Sequence, residues 1–325
     1  MRRAVFAALA FSTALGAVEP DRVLIIAHRG ASGHRPEHTL ESYTLAIEMG
    51  ADFIEPDLVS TSDGVLVARH ENEIGGTTDV ADRFPDRRRT KMIDGVSVPG
   101  WFTEDFTLAE LKTLRAKERL PFRSHAYDGQ FLVPTFDEVL TLADTMSRAL
   151  GRTIGVYPET KHPSYFRGIG LALEPRVLEV LARHGKSRQS DAVFIQSFEP
   201  SSLVSLRLRT PLRLIQLLDQ GADVSDERLD AITKYADGIG VNTRLVLPSD
   251  TAGRVGVATT LVERAHARGL LVHAWTLRSE PVFLSPSYDG QAEREYQQLA
   301  ALGVDGIFGD FPDVAVRALR GVKAR

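Results

Sequence analysis

The chain has 325 residues, no cysteine, and 39 Lys+Arg against 43 Asp+Glu, a formal charge of −4. That composition excludes disulfides and thiolate metal sites and speaks against a nucleic-acid backbone binder. With 43% hydrophobic and 25% charged residues the chain is neither disordered nor a membrane bundle, and its length suits one large α/β barrel or two average domains.

The first predicted element precedes the fold. Arg2 and Arg3 lead into an apolar run from Ala4 to Phe11, and small residues continue to Ala17 before the polar Glu19-Pro20-Asp21-Arg22. This is the pattern of a secretory signal peptide over residues 1–17. Cleavage after Gly16 places the small Ala14 at the −3 position and is favoured over cleavage after Ala17, which places Leu15 there. The apolar run is too short to span ~30 Å of hydrocarbon, so no stable membrane insertion is expected. The mature protein, with its barrel domain over residues 22–325, is expected to be exported to the periplasm or secreted, and without cysteine it is indifferent to the redox compartment.

From Arg22 onward, short β-branched runs alternate with amphipathic segments, the grammar of a parallel sheet with crossover helices. Strands are predicted at 23–27, 52–58, 153–158, 192–198, 212–218, 238–242, 270–276 and 306–310. Helical segments follow them, among them 39–48, 177–183, 229–235, 261–267, 293–301 and 314–320, with Thr39 as the cap of the first. Eight such units predict a closed (β/α)8 barrel. One connection breaks the pattern, because an Asp63-Gly64 turn sits between two strand-like runs and returns His70 towards Asp57 as a hairpin. The following stretch, about 73–130, holds Arg87-Arg88-Arg89, several Pro and Gly, and one helical pattern from Leu108 to Lys117. It reads as an insertion after the second strand, too short for a large core of its own.

Barrel enzymes carry reactive groups at the C-terminal ends of their strands. Here those ends read His28-Arg29-Gly30, Glu55-Pro56-Asp57, Glu159-Thr160-Lys161, Gln196-Ser197-Phe198 and His273-Ala274-Trp275. Glu55 and Asp57 are two apart on a strand and point to one face. With Glu159 from the neighbouring strand they offer hard oxygen ligands without sulfur, which favours Ca²⁺ or Mg²⁺ over Zn²⁺. Pairing of each acid with Arg29, Lys161 or Arg69 is the alternative for any one of them. Pro56 predicts a bulge or frayed end there. His28 and His70 meet at the rim of this cluster and suit general acid/base work near neutral pH. Three carboxylates and one divalent ion leave a local charge of −1, so an anionic substrate needs Arg29 and Lys161 as well. Glu37 is expected to orient His28 or Arg29, and Trp275 to pack against an alcohol group or in the core, with Tyr157 and Phe198 in the same balance. His34 and His38 fall in a loop, and His125, His162, His184 and His266 read as surface positions.

These residues resemble the glycerophosphodiester phosphodiesterase family, and within it the periplasmic bacterial branch. The resemblance is carried in order by Ile26–Gly33, Pro36–Thr39, Glu55–Leu58, Thr61–Gly64, Val67–His70, Tyr157–Lys161, Gln196–Phe198 and Asp305–Pro312, with Thr78–Pro85 supporting the branch. It implies a TIM barrel of the phospholipase-C-like phosphodiesterase type with a small insertion. It also implies a divalent ion, usually Ca²⁺, and hydrolysis of deacylated phospholipids such as glycerophosphocholine and glycerophosphoethanolamine to sn-glycerol 3-phosphate and an alcohol. By the same resemblance Glu55, Asp57 and Glu159 bind metal, His28 and His70 act as base and acid, and Arg29 and Lys161 bind phosphate. Gln196, Phe198 and Trp275 are further candidate substrate contacts. Only the glycerophosphoryl half is needed for the reaction, which predicts broad head-group tolerance; the oligomeric state is left open, a dimer included. Two rivals are a lyase that stops at a cyclic phosphate, as in related phosphatidylinositol phospholipases and sphingomyelinase D-like enzymes, and an exported binding protein using the barrel as a scaffold.

Overall fold

The computed structural model describes residues 22–321, so the expected leader lies outside the described residues. In chain order the strands are β1 (Leu24–His28), β2 (Phe53–Glu55), β3 (Asp57–Ser60), β4 (Leu66–Ala68), β5 (Arg89–Ile93), β6 (Val96–Gly100), β7 (Gly155–Val156), β8 (Glu159–Thr160), β9 (Phe194–Ser197), β10 (Arg213–Leu218), β11 (Gly238–Asn242), β12 (Leu271–Leu277) and β13 (Gly306–Gly309).

Proline explains why two of the barrel strands come in halves. Pro56 separates β2 from β3, and Pro158 separates β7 from β8, because neither residue has an N–H to give to the ladder. Their carbonyls still serve it: Pro56 accepts from the Glu159 N–H at 3.0 Å and Pro158 from the Gln196 N–H at 2.9 Å. Counting each pair as one strand, eight parallel strands run β1, β2/β3, β7/β8, β9, β10, β11, β12, β13, and β13 pairs back onto β1. The closed barrel predicted from the alternation is therefore present, at the predicted positions.

Helices cover the outside. Leu40–Glu48 starts where the Thr39 hydroxyl accepts from the Ser42 N–H at 3.1 Å, and Phe136–Leu150 starts with a reciprocal cap between Thr135 and Glu138. Strand residues alternate between this helical layer, where Ile25, Ala27 and Ile54 pack, and the barrel interior. The interior is filled by Ile26, Phe53, Tyr157, Phe194, Ile215 and Phe308, each contributing about 1.5–3 kcal/mol by burial. Space there is rationed between strands: a Cβ on Gly155 would lie 2.1 Å from the Phe53 ring. Because β12 runs on to Leu277, His273 is not at the strand end as expected. It lies fully buried among these rings, its Nδ1 2.7 Å from the Tyr157 hydroxyl, while Trp275 further along does reach the mouth.

After β3 the chain turns at Gly64, whose φ of +80° suits glycine, and β4 returns antiparallel with Leu58 opposite Ala68. The segment that follows carries the β5–β6 hairpin around Asp94-Gly95. The helix expected from Leu108 to Lys117 is a single turn, Leu108–Leu111. Beyond it the backbone is claimed by distant partners, with Ala116 N–H on Phe131 O at 2.8 Å and Lys117 N–H on Thr77 O at 2.9 Å. Among the described residues no helix is long and apolar enough to cross a membrane.

Candidate active site

The C-terminal ends of the strands converge on a cavity of about 110 Å³. His28, Arg29, Glu55, Asp57, His70, Glu159, Gln196, Phe198 and Trp275, all singled out from the sequence, line it together. Lys161 and Glu37 stand one contact behind: Lys161 Nζ lies 3.1 Å from Glu159 and 3.3 Å from His70 Nε2, and Glu37 accepts from Arg29 at 3.0 Å.

Oxygen atoms of Glu55, Asp57 and Glu159 come within 4.8 Å of one another, and all three residues are buried. Pro56 does not part them, since the ladder to β8 continues across it. Burial and the Asp57 charge push the Glu55 carboxyl well above the usual carboxylate range. Glu159 is raised to about 8 by burial and by Asp57, against the pull of Lys161. Burial would raise Asp57 too, but the hydrogen bond from His38 and the nearby His70 and Lys161 outweigh it and hold it well below. Three acids that cannot all ionise alone could hold a cation between them. The donor set fits a hard divalent ion, and Asp57 Oδ1, buried without a hydrogen-bond partner, offers it a lone pair.

The surrounding bonds orient this cluster. Arg29 adopts φ +61°, a conformation that costs a non-glycine residue about 1 kcal/mol or more and is repaid by contacts. Its N–H donates to Glu55 at 2.9 Å, and its guanidinium reaches Glu37 and lies 3.5 Å from Asp57. Glu37 thus orients Arg29, together with Arg119, and does not touch His28. The partner of His28 is Asp310, 2.6 Å from its Nδ1 and itself accepting from Arg123 and Arg278. With Nδ1–H given to Asp310, Nε2 is the free nitrogen. Burial and the neighbouring Arg29 lower His28 to about 4, so it is neutral near pH 7 and able to take a proton. His70, likewise lowered to about 4 by burial and then Arg29, has Nδ1 2.9 Å from Glu71. Glu71 is in turn 2.7 Å from His162, whose other nitrogen meets Asp94 at the β5–β6 tip at 2.5 Å.

Sequence reading missed several of these groups. His38 is no loose loop residue: it is fully buried, bonded to Tyr43 at 2.7 Å and to Asp57 at 2.9 Å. His162 and His184 are partly covered and paired with acids, whereas His125 and His266 are exposed. Asp310 was open to the strand-end rule, because it directly follows β13. Nothing local in the sequence marks the Asp94–His162–Glu71 chain.

Comparison with known proteins gives the family. The Glycerophosphoryl diester phosphodiesterase family model matches residues 28–314. A glycerophosphodiester phosphodiesterase of Arabidopsis thaliana is 38% identical, covering 90% of this chain and 85% of its own, and one of Bacillus subtilis is 32% identical, covering 94% and 89%. An Oleispira antarctica phosphodiesterase solved with the product sn-glycerol-3-phosphate has the same fold, with TM-score 0.65, 23% identity, and coverage of 91% of this chain and 96% of its own. The chain belongs to the glycerophosphoryl diester phosphodiesterase family.

Proposed function

We propose that this glycerophosphodiester phosphodiesterase binds a divalent cation, Ca²⁺ in preference to Mg²⁺, on Glu55, Asp57 and Glu159 and works by proton exchange through His28 and His70. The reaction is hydrolysis of glycerophosphodiesters to sn-glycerol 3-phosphate and an alcohol. The observation that carries the reading is the buried acid trio beside two histidines in one cavity. When bound, the cation supplies positive charge to the phosphoryl oxygens. Arg29 and, behind Glu159, Lys161 add to that field.

His28 Nε2 takes the proton of a glycerol hydroxyl as its oxygen attacks phosphorus to close a cyclic phosphate and expel the head-group alcohol, and Asp310 stabilises the imidazolium that results. His70 gives a proton to the departing alcohol, for which Glu71 and the arriving phosphodiester anion both favour its charged form. Water then opens the cyclic phosphate as the two histidines exchange roles. Gln196 already gives its Nε2–H to Glu55 at 3.0 Å, so its part is to set that carboxylate. Phe198 and Trp275 meet edge to face, with ring centroids 5.7 Å apart, and wall the cavity towards the head group. The periplasmic branch and export are part of this reading and rest on the leader sequence and on Thr78–Pro85.

Calorimetric titration of the apo protein with Ca²⁺ tests the cation site. One ion per chain is expected, with affinity falling at least tenfold in Glu55→Gln and in Asp57→Asn. Equal affinity in the wild type and both variants would remove the trio from the mechanism.

A further inference from the structure

A second cavity, about 220 Å³, opens beside the first and shares Trp275, Thr276 and Arg278 with it. Its other walls include Arg244, just after β11, and Glu295, on the outer helix Ala292–Ala301. Both bring a charge for which the protein provides no partner. Among the described residues no ion pair within 4.0 Å and no side-chain hydrogen bond engages the Glu295 carboxylate or the Arg244 guanidinium. Glu295 is raised to about 7 by burial, and Arg244 pulls the other way without reaching it. Arg278 differs, since its Nε lies 3.1 Å from Asp310 and its guanidinium stacks 4.8 Å over Phe283.

The cavity therefore presents one uncommitted guanidinium and one uncommitted carboxyl group, next to the place where the alcohol leaves. A half-buried charge gains most from a partner of opposite sign that arrives with few waters. A neutral polyol satisfies neither group fully. A simple ammonium suits Glu295 but faces Arg244. An occupant bearing both an ammonium and a carboxylate pairs with both.

We infer that this cavity is a head-group subsite for a zwitterionic, amino-acid-like alcohol such as the serine of glycerophosphoserine, its carboxylate on Arg244 and its ammonium on Glu295. The inference rests on the proposed reading of the neighbouring cavity as the site of phosphodiester cleavage. It adds a graded preference to a reaction whose chemistry requires only the glycerophosphoryl half.

The test is kcat/KM for glycerophosphoserine, glycerophosphoethanolamine and glycerophosphoglycerol with the wild type, Arg244→Gln and Glu295→Gln. The wild type should favour the serine diester over the glycerol diester roughly tenfold, the worth of about one charged hydrogen bond. Arg244→Gln should lower the serine-to-ethanolamine ratio by a similar factor, and Glu295→Gln should lower the ethanolamine-to-glycerol ratio. Because each readout is a ratio within one preparation, partial misfolding cancels. Active enzyme with the same ratios in all three proteins would overturn the subsite alone. Absence of turnover on any diester by the wild type would overturn the catalytic reading and the subsite with it.

Discussion

Asp57 shows how one side chain is fixed for chemistry. One oxygen accepts from His38 and the other is left buried and unpartnered, so the carboxylate is held ionised and aimed. In the proposed cation site His38 would position Asp57. In His38→Ala the Tyr43 hydroxyl and Asp57 each lose a buried partner, which should cost about 1–3 kcal/mol in urea unfolding and weaken Ca²⁺ binding roughly tenfold or more. Unchanged Ca²⁺ affinity in a folded His38→Ala would show that the bond is only structural. Asp310→Asn should lower kcat while leaving KM nearly alone, because Asn cannot stabilise the imidazolium of His28; an equal kcat would contradict the base role. The acids and the two histidines were legible in the sequence because each lies at or next to the end of a predicted strand or follows a tight turn. His38 was not, since its partner lies nineteen positions away and only folding brings them together.

Among the elements, the β5–β6 hairpin is tied to the site by the bonds from Asp94 through His162 and Glu71 to His70. Asp94 and His162 both hold positive φ, +49° and +47°, and meet each other there. His162→Ala should lower kcat about threefold to tenfold at constant KM and shift the pH profile of kcat, with His162→Gln restoring part of the loss. A loss of stability with an unshifted profile would mark the contact as packing alone. The barrel strands were readable from β-branched runs, and the break at Pro56 from that proline, whereas the break at Pro158 was not anticipated. The segment after β4 was not, because its structure depends on long-range bonds such as Ala116 to Phe131 that outcompete a locally plausible helix.

For the whole molecule, closure of β13 onto β1 brings the chain's two ends into one site: His28 from the first strand and Asp310 from just after the last. The same seam carries an acid-sensitive contact, Asp313 between His34 at 2.9 Å and Arg317 at 2.8 Å. Burial would raise its carboxyl, but these bonds outweigh it and lower it to about 2 from an ordinary 3.8. A depressed folded value means stabilisation that is complete above about pH 4 and lost as the pH falls through about 2. Partial exposure limits it to about 1 kcal/mol. Asp313→Asn should therefore unfold with a shallower pH dependence between pH 5 and 2.5 in urea; an identical slope would remove Asp313 from acid unfolding.

The central claim joins metal, histidines and reaction. It is tested most directly by release of glycerol 3-phosphate from glycerophosphocholine, measured with chelator, with Ca²⁺ and with Mg²⁺, in the wild type and in His28→Ala. The account predicts release that chelator abolishes and Ca²⁺ restores better than Mg²⁺, and a fall of about 10²–10⁴-fold in His28→Ala. Turnover that survives chelation and loss of His28, or accumulation of a cyclic phosphate in place of glycerol 3-phosphate, would contradict it.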